Sequence, residues 1–252
     1  MSDIISGSST RIKTGIALLL AFLVVGFIDS LFLTWFIFGL LMLIALSESL
    51  NLFKIDDEKI YFYAVVVWIV AYFYPKPEDL VFVIGVIFAS ILAYTKEFNK
   101  SLFLPLMYPI VSYLFLLSLY ISFGMESLLW LVAVVAGTDI GAYFVGKSIG
   151  KTQFCATSPN KTLEGVFGGI VVAAVMGIIF SPDYVGFFSA FFISLIVATS
   201  SVFGDLFESY LKREADVKDS GDILPGHGGI LDRSDGYLFG GILLVVLLRM
   251  FY

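Results

Sequence analysis

The chain has 252 residues, of which 59% are hydrophobic and 14% are charged, and its formal net charge is −6. Together with a mean hydropathy of +0.97, this composition excludes an ordinary soluble domain and predicts a polytopic membrane protein. The single cysteine, Cys155, excludes a disulfide framework and a cysteine-based zinc site. The acidic balance predicts no nucleic-acid partner.

Nine apolar stretches, separated by charged or proline-containing breaks, are candidate membrane spans in an all-α fold. A span needs about 20 mostly apolar residues to cross a hydrocarbon core of about 30 Å. Several stretches are shorter, so we expect their helices to extend into flanking residues, or one pair to be re-entrant. In chain order the stretches cover residues 14–27, 31–50, 61–74, 80–94, 102–122, 127–145, 166–180, 185–207 and 237–248.

The distribution of Lys and Arg predicts a cytoplasmic N-terminus. With nine spans, this orientation leaves only Lys76 and Arg249 of the 15 basic residues on the opposite side, and retained cytoplasmic loops are expected to carry the basic excess. Both long polar loops, 146–165 and 208–236, then face the cytoplasm of a bacterial inner membrane. We expect residues 1–125 to form N-terminal transmembrane helices, about five spans, and residues 126–252, which contain both long polar loops, to carry the chemistry.

The sixth span carries Asp139 and, four residues later on the same helical face, Tyr143. An ionisable group at membrane depth is costly and usually faces a cavity or a bundle interior. Asp139 has no basic partner in its own span, so it needs one from elsewhere, a metal ion or protonation. Lys161 lies near the start of the seventh span, where an ammonium group and helix N-terminal amides can bind phosphate together. Simple capping by Thr162 is the alternative.

Twelve of the chain's 36 charged residues lie between Gly204 and Gly236. Asp205, Ser209 and Lys212 share one helical face at the end of the eighth span. Further carboxylates and basic side chains alternate beyond them, which suits a metal and polyphosphate site, because a hard cation needs oxygen ligands and phosphate oxygens need cations. The alternative is a solvated loop whose charges neutralise one another. The residues concerned are Arg213, Lys218, Asp219, Asp222, Asp232, Arg233 and Asp235.

Residues 225–229 read Pro-Gly-His-Gly-Gly and predict a turn. Gly226, Gly228 and Gly229 allow backbone N–H groups to approach an anion closely. The only histidine, His227, lies between these glycines, where ordering of the loop and contact with phosphate are both open.

Taken together, these motifs resemble the signature of the phosphatidate cytidylyltransferases, the CDP-diacylglycerol synthases. The resemblance covers roughly the C-terminal half of the chain, and Leu163 and Ser234 are its small departures. It rests on Ser209, Lys212-Arg213, Lys218-Asp219, the run Leu-Pro-Gly-His-Gly-Gly at 224–229, Asp232-Arg233 and Asp235. Upstream it includes Asp139, Ala142-Tyr143 and Gly146, and the run Ser-Pro-Asn-Lys-Thr-Leu-Glu-Gly at 158–165.

The resemblance implies transfer of CMP from CTP to phosphatidic acid, giving CDP-diacylglycerol and pyrophosphate with Mg²⁺ as cofactor. It leaves open a second metal ion, which need not be divalent, and a homodimer. The implied metal ligands are Asp205 and Asp232 first, then Asp219 and Asp235. The implied substrate contacts and catalytic cations are Asn160, Lys161, Ser209, Lys212, Arg213, Lys218, Arg233, His227, the amides of Gly226, Gly228 and Gly229, and, lining a polar cavity, Asp139 and Tyr143.

Such a reaction needs no protein nucleophile, because the lipid phosphate is already ionised and requires only alignment and charge neutralisation. Two alternatives stay open. A related CTP-dependent lipid transferase, of the CDP-archaeol synthase or polyprenol kinase type, would apply similar chemistry to another lipid. An ion transporter would use Asp139 and Asp205 as an ion path, but it would also predict broken helices in two corresponding halves, which this sequence lacks.

Overall fold

The computed structural model describes residues 2–56, 58–96, 103–226 and 228–252, and in the first helix it describes side chains from Lys13 onward. In these ranges the chain forms α-helices and no named β-strand, which confirms the predicted all-α fold. The helices are α1 (Ser2–Ile28), α2 (Leu31–Leu52), α3 (Lys59–Phe73), α4 (Leu80–Thr95), α5 (Phe103–Ile149), α6 (Leu163–Phe180), α7 (Phe187–Glu214) and α8 (Leu231–Phe251), with a 3₁₀ turn at Pro77–Asp79.

Six described segments are long and apolar enough to cross a membrane, namely α2, Pro77–Thr95, α5, α6, α7 and α8. The apolar part of α1 and the whole of α3 are shorter. Helices are the expected form, because backbone polar groups must be satisfied within the segment where water is absent. The chain is a multi-pass membrane protein, and the count of nine spans and the cytoplasmic N-terminus stay predictions.

Helix α5 contains two of the predicted spans. Its 47 residues would extend about 70 Å at 1.5 Å per residue, more than twice the thickness of a hydrocarbon core. At Gly124 the backbone leaves the helical region, with φ of 76° and ψ of −179°, a conformation that glycine adopts at little cost. The predicted stretches 102–122 and 127–145 therefore correspond to the two sides of this kink.

Contacts divide the chain into two compact units. Unit 1 comprises Met1–Ser118 and Val217–Arg233, and unit 2 comprises Leu119–Asp216 and Ser234–Tyr252. The segment after α7 thus groups with the N-terminal helices, and in unit 1 Thr14 Oγ1 donates to the Pro225 carbonyl oxygen at 3.1 Å. The predicted division at residue 125 concerns which part carries the chemistry, and it stays a prediction.

Both polar loops are shorter than the sequence suggested. Because α5 continues to Ile149 and α6 begins at Leu163, the first loop covers 150–162. Because α7 continues to Glu214 and α8 begins at Leu231, the second covers 215–230. Several predicted site residues therefore lie on helices, namely Asp205, Ser209, Lys212 and Arg213 on α7 and Asp232, Arg233 and Asp235 in the first turns of α8.

In unit 2, α5 and α6 approach at backbone contact. A Cβ added at Gly141 would lie 2.9 Å from the Gly169 Cα, and one added at Gly169 would lie 2.5 Å from the Thr138 carbonyl oxygen. Small residues at a crossing permit such close packing between membrane helices. The crossing brings the turn that carries Asp139 and Tyr143 beside the start of α6.

Candidate active site

A cavity of about 580 Å³ opens in unit 2 among α5, α7 and the start of α6. Its volume is typical of small-molecule sites. The structure brings five predicted site residues to its wall, namely Asp139, Tyr143, Asn160, Lys161 and Asp205. Apolar side chains also contribute to the lining, namely Ala142, Val166 and Val202.

An ion pair joins the Lys161 ammonium to Oδ2 of Asp205 in this cavity. Ser209, one turn later on α7, donates its hydroxyl to Oδ1 of Asp205 at 3.4 Å. The Lys161 and Asp205 side chains are 28% and 31% exposed, so both charges are accessible. The pair presents a cation and an anion to one space, which is the combination that a metal-bound phosphate requires.

Glu164, in the first turn of α6, organises the loop that carries Lys161. Its carboxylate accepts hydrogen bonds from the Lys151 N–H at 3.1 Å and from the Thr152 N–H and hydroxyl at 3.1 and 2.8 Å. The Phe154 N–H donates to the Lys161 carbonyl oxygen at 2.8 Å, which closes the loop. The backbone of Lys161 is thereby held at the cavity.

Thr162 caps α6, because its hydroxyl oxygen accepts from the Gly165 N–H at 3.2 Å. The capping interpretation is confirmed, and it is compatible with a ligand-binding role for the neighbouring Lys161. Nearby, the Lys147 ammonium lies 5.6 Å from the centroid of the Tyr143 ring, and both side chains line the cavity. Lys147 is a cation that the sequence analysis did not select.

Negative charge accumulates on one side of unit 2. Asp235 is within electrostatic range of the Asp205 and Asp139 carboxylates and of the Lys212 ammonium. Lys212 forms an ion pair of 2.5 Å with Glu208, whose side chain is 1% exposed. Because like charges disfavour each other's ionised form, this surplus of carboxylates favours a bound cation.

The oxygen donors suit Mg²⁺ in their chemistry. Mg²⁺ is usually bound by one or two carboxylates and completes its shell with waters and substrate phosphates. Among the described residues of either unit, no three Asp, Glu, His or Cys side chains converge as a metal cage. We therefore expect a metal site that the substrate completes. In unit 2 the candidate ligands are Asp205 and Asp235. In unit 1 the candidate ligands are Asp219 and Asp232.

A second cavity, of about 460 Å³, lies in unit 1 around the 215–230 loop. The predicted phosphate-binding residues Lys218 and Arg233 line it. Its other lining residues are Asp219, Gly221, Asp222, Leu224, Gly226 and Gly228. The lining of this cavity therefore combines two basic residues, Lys218 and Arg233, with two acidic ones, Asp219 and Asp222.

The glycine-rich turn is tightly folded. Gly226 and Gly228 have φ of 76° and 86°, values that favour glycine. Leu224 and Gly228 exchange backbone hydrogen bonds at 2.9 and 3.2 Å, and the Gly229 N–H donates to Asp232 at 2.8 Å. Two of the amides expected to bind phosphate thus donate within the turn. His227 lies outside the described residues.

Asp232 holds this turn against the start of α8. Its Oδ2 accepts from the Ser220 N–H at 2.8 Å, the Ser220 hydroxyl at 2.9 Å and the Gly229 N–H at 2.8 Å. Such donors stabilise a carboxylate in its ionised form and fix its orientation. Arg213, by contrast, is exposed near the end of α7.

Besides Lys147, three contributors were not selected from the sequence, namely Glu48, Glu164 and Ser220. Glu48, near the end of the second predicted span, is buried beneath the turn of unit 1. A carboxylate among apolar residues is itself a signal of an interior role. Glu164 and Ser220 carried no comparable signal, because their partners depend on how the loops fold.

Known proteins resemble this chain along most of its length. The profile of the cytidylyltransferase family matches residues 9–251. In two strains of Helicobacter pylori, a protein named phosphatidate cytidylyltransferase is 41% identical over 251 residues, which cover 98% of this chain and 94% of the relative. The phosphatidate cytidylyltransferase of Bacillus subtilis is 47% identical over 133 residues, covering 51% of this chain and 49% of the relative.

Proposed function

Because this chain belongs to the cytidylyltransferase family, we propose that it transfers CMP from CTP to phosphatidic acid, forming CDP-diacylglycerol and releasing pyrophosphate. The observation that carries this proposal is the 41% identity, over 98% of the chain, to relatives named phosphatidate cytidylyltransferase. Multiple apolar helices suit a substrate whose acyl chains remain in the bilayer.

The reaction is a single substitution at phosphorus. An oxygen of the phosphatidate phosphate bonds to the α-phosphorus of CTP, while the bond from that phosphorus to the oxygen bridging to the β-phosphorus breaks. Pyrophosphate leaves with the bonding pair. The attacking oxygen is already ionised, so the protein contributes positioning and charge stabilisation.

We assign the unit 2 cavity to the reacting phosphates. The Lys161 ammonium would contact phosphate oxygens and thereby release its partner Asp205 for a cation. The Asn160 amide offers further hydrogen bonds. Ala142 and Val166 supply an apolar wall beside which the glycerol end of the lipid would lie.

The unit 1 cavity offers phosphate-binding groups of its own. Arg233 matches phosphate geometry with its planar fork of donors, and Lys218 adds a point charge. Mg²⁺, when bound, supplies charge neutralisation on the phosphates. In unit 2, Asp205 would be its first ligand and Asp235 a further one; in unit 1, Asp232 would be the first and Asp219 a further one. A second metal ion stays a prediction. We place both cavities on the cytoplasmic face of a bacterial inner membrane, because the distribution of basic residues favours that side. A homodimer also stays a prediction.

The proposal is tested with the purified protein in detergent, supplied with labelled CTP, phosphatidic acid and Mg²⁺. We expect labelled CDP-diacylglycerol and an equal amount of pyrophosphate. Chelation of Mg²⁺ and the Asp232→Asn variant should each abolish product. The control is Asp183→Asn, the same change at an exposed carboxylate outside both cavities.

The same assay separates the alternatives. Incorporation of label only with an archaeol-type lipid phosphate, or CTP-dependent phosphorylation of a polyprenol, would replace the assignment by a related lipid transferase. Ion flux in liposomes without any nucleotide chemistry would reject an enzyme altogether. Full activity of Asp232→Asn would keep the reaction and remove Asp232 from the site.

A further inference from the structure

The buried carboxylate of Glu48, on α2, supports the 215–230 loop of unit 1. Glu48 is 3% exposed and lies within the last two turns of α2. Its Oε1 accepts from the Ile230 N–H at 2.9 Å and its Oε2 from the Leu231 N–H at 2.7 Å. These partners follow it by 182 and 183 residues in the sequence.

The two N–H groups lie at the beginning of α8, that of Ile230 just before the helix and that of Leu231 at its first residue. The first N–H groups of a helix have no partner inside the helix, and a negative group near them is stabilising because of the helix dipole. A side chain close in sequence usually performs this role. In unit 1, Glu48 of another helix performs it, so α2 determines where α8 begins.

The loop backbone lies directly on the Glu48 carboxylate. A Cβ added at Gly221 would lie 2.6 Å from Oε1, and one added at Gly229 would lie 2.5 Å from Oε2. Neither position has room for a larger residue unless the carboxylate moves. These two glycines therefore serve a close approach to Glu48.

Ser220 links Glu48 to Asp232. Its hydroxyl oxygen lies 3.2 Å from Glu48 Oε2 and 2.9 Å from Asp232 Oδ2. Gly229 is likewise shared, since its N–H donates to Asp232 while its Cα packs on Glu48. Displacement of Glu48 would therefore move both groups that orient Asp232.

We propose that Glu48 is a positioning residue for the nucleotidyl transfer, which acts by fixing the start of α8 and the orientation of Asp232. The inference rests on the proposed function in that Asp232 takes part in the reaction. Glu48 itself contacts neither of the two cavities, so its contribution is made through Ser220, Gly229 and the α8 amides.

The test compares Glu48→Gln with Glu78→Gln in the full-length protein. Glu78 is a matched control, because it is a buried glutamate of unit 1 (4% exposed) in the Pro77–Asp79 turn. Glutamine keeps the size of Glu48 but points an NH₂ group at one of two N–H donors. We expect kcat to fall about 10- to 100-fold, the range for misplacement by up to 1 Å, with KM for CTP changed less. Glu48→Asp, which keeps the charge with a shorter reach, should recover part of kcat.

A second measurement does not depend on catalysis. Hydrogen exchange at residues 217–233 of the substrate-free protein should quicken in Glu48→Gln and stay unchanged in Glu78→Gln. Equal kcat loss in the two variants, or unchanged exchange in Glu48→Gln, would overturn the inference. If Glu48→Gln does not fold, the substitute variant is Ser220→Ala. It should lower kcat and quicken hydrogen exchange at residues 217–233. Unchanged kcat and unchanged exchange in Ser220→Ala would overturn the inference. Absence of activity in the unmodified protein would reject the proposed function, whereas the exchange result would still decide the structural part.

Discussion

The two units hold their predicted site carboxylates by different means. In unit 2, the Asp205 carboxylate is held by two side chains, Lys161 and Ser209. In unit 1, the Asp232 carboxylate is held by backbone N–H groups and a serine hydroxyl on a turn that Glu48 supports from below. The side chains of unit 2 can exchange partners by rotation, whereas the backbone donors of unit 1 move only if the turn moves.

This difference assigns separate tasks to the two acids. An ion pair that is about one-third exposed can open when a phosphate and a cation arrive, so Asp205 and Lys161 suit the groups that change during the reaction. A carboxylate with three donors on one oxygen is already oriented, and preorganised groups need no rearrangement when charge develops. We therefore expect substitutions in unit 2 to affect mainly chemistry, and those in the unit 1 turn to affect both stability and chemistry.

The largest effect is expected for Asp205→Asn. The change removes the carboxylate that we propose as a metal ligand and leaves Lys161 beside a neutral amide. We therefore expect kcat to fall by about 10³-fold, the upper range for one charge-stabilising group. Steady-state kinetics in detergent measure it, with Asp183→Asn as the matched control. A fall no greater than that of the control would remove Asp205 from the reaction.

Lys161→Met should be next, with a loss of about 10²-fold in kcat/KM. Because Lys161 and Asp205 form one pair, the double variant Lys161→Met with Asp205→Asn should be only slightly worse than Asp205→Asn alone. Lys76→Met, at a basic residue outside both cavities, is the control. If the losses in kcat/KM of the two single variants multiply in the double variant, Lys161 and Asp205 act independently. That result would contradict the proposed exchange of partners.

Gly229→Ala probes the rigid turn of unit 1. The new Cβ would lie 2.4 Å from Ser220 Oγ and 2.5 Å from Glu48 Oε2, so we expect a loss of about 1–3 kcal/mol in the free energy of unfolding, as for overpacked sites. Activity should fall as well, because Gly229 orients Asp232. Gly186→Ala is the control, since a Cβ there meets no atom within 4 Å. Thermal unfolding and steady-state kinetics measure the two effects. Equal stability and equal activity of Gly229→Ala and Gly186→Ala would show that the turn adapts to the added methyl group.

The sequence predicts the helices of this fold well, because apolar length follows from the thickness of the bilayer. Loop lengths were overestimated for a physical reason. The predicted loop bounds 208–236 include Lys212 and Asp232 because of their polarity, but helices α7 and α8 continue through them. Ion pairs and distant hydrogen bonds stabilise those extensions, and neither is visible in local hydropathy.

Residues that carry charge at the candidate site could be selected from the sequence, whereas the residues that position them could not. Asp139, Tyr143, Asn160, Lys161 and Asp205 meet at one cavity, as their polarity in an apolar chain suggested. Glu48 was missed because its partners lie 182 and 183 residues away, and no local pattern encodes such a pairing.

Glu164→Gln should have a smaller effect than Lys161→Met. The carboxylate binds backbone and hydroxyl donors of Lys151 and Thr152, and an amide accepts fewer of them. The loop retains its backbone bonds at Phe154 and Leu163, so Lys161 should shift by less than 1 Å and kcat should fall about tenfold or less. Kinetics measure the change, with Glu126→Gln, outside the unit 2 cavity, as control. A loss as large as that of Lys161→Met would mean that the loop depends on Glu164 alone.

The smallest effect is expected at Tyr143. Its ring is 60% exposed and lies 5.6 Å from the Lys147 ammonium, and a cation–π contact at an exposed site contributes about 0.5–1 kcal/mol. If the ring places Lys147 for a phosphate, Tyr143→Leu should raise KM for phosphatidic acid about two- to fivefold, the equivalent of that energy, and leave kcat unchanged. Tyr143→Phe keeps the ring and should match the unmodified protein. Equal losses in both variants would assign the contribution to the Tyr143 hydroxyl instead, as a hydrogen-bonding group of the unit 2 cavity.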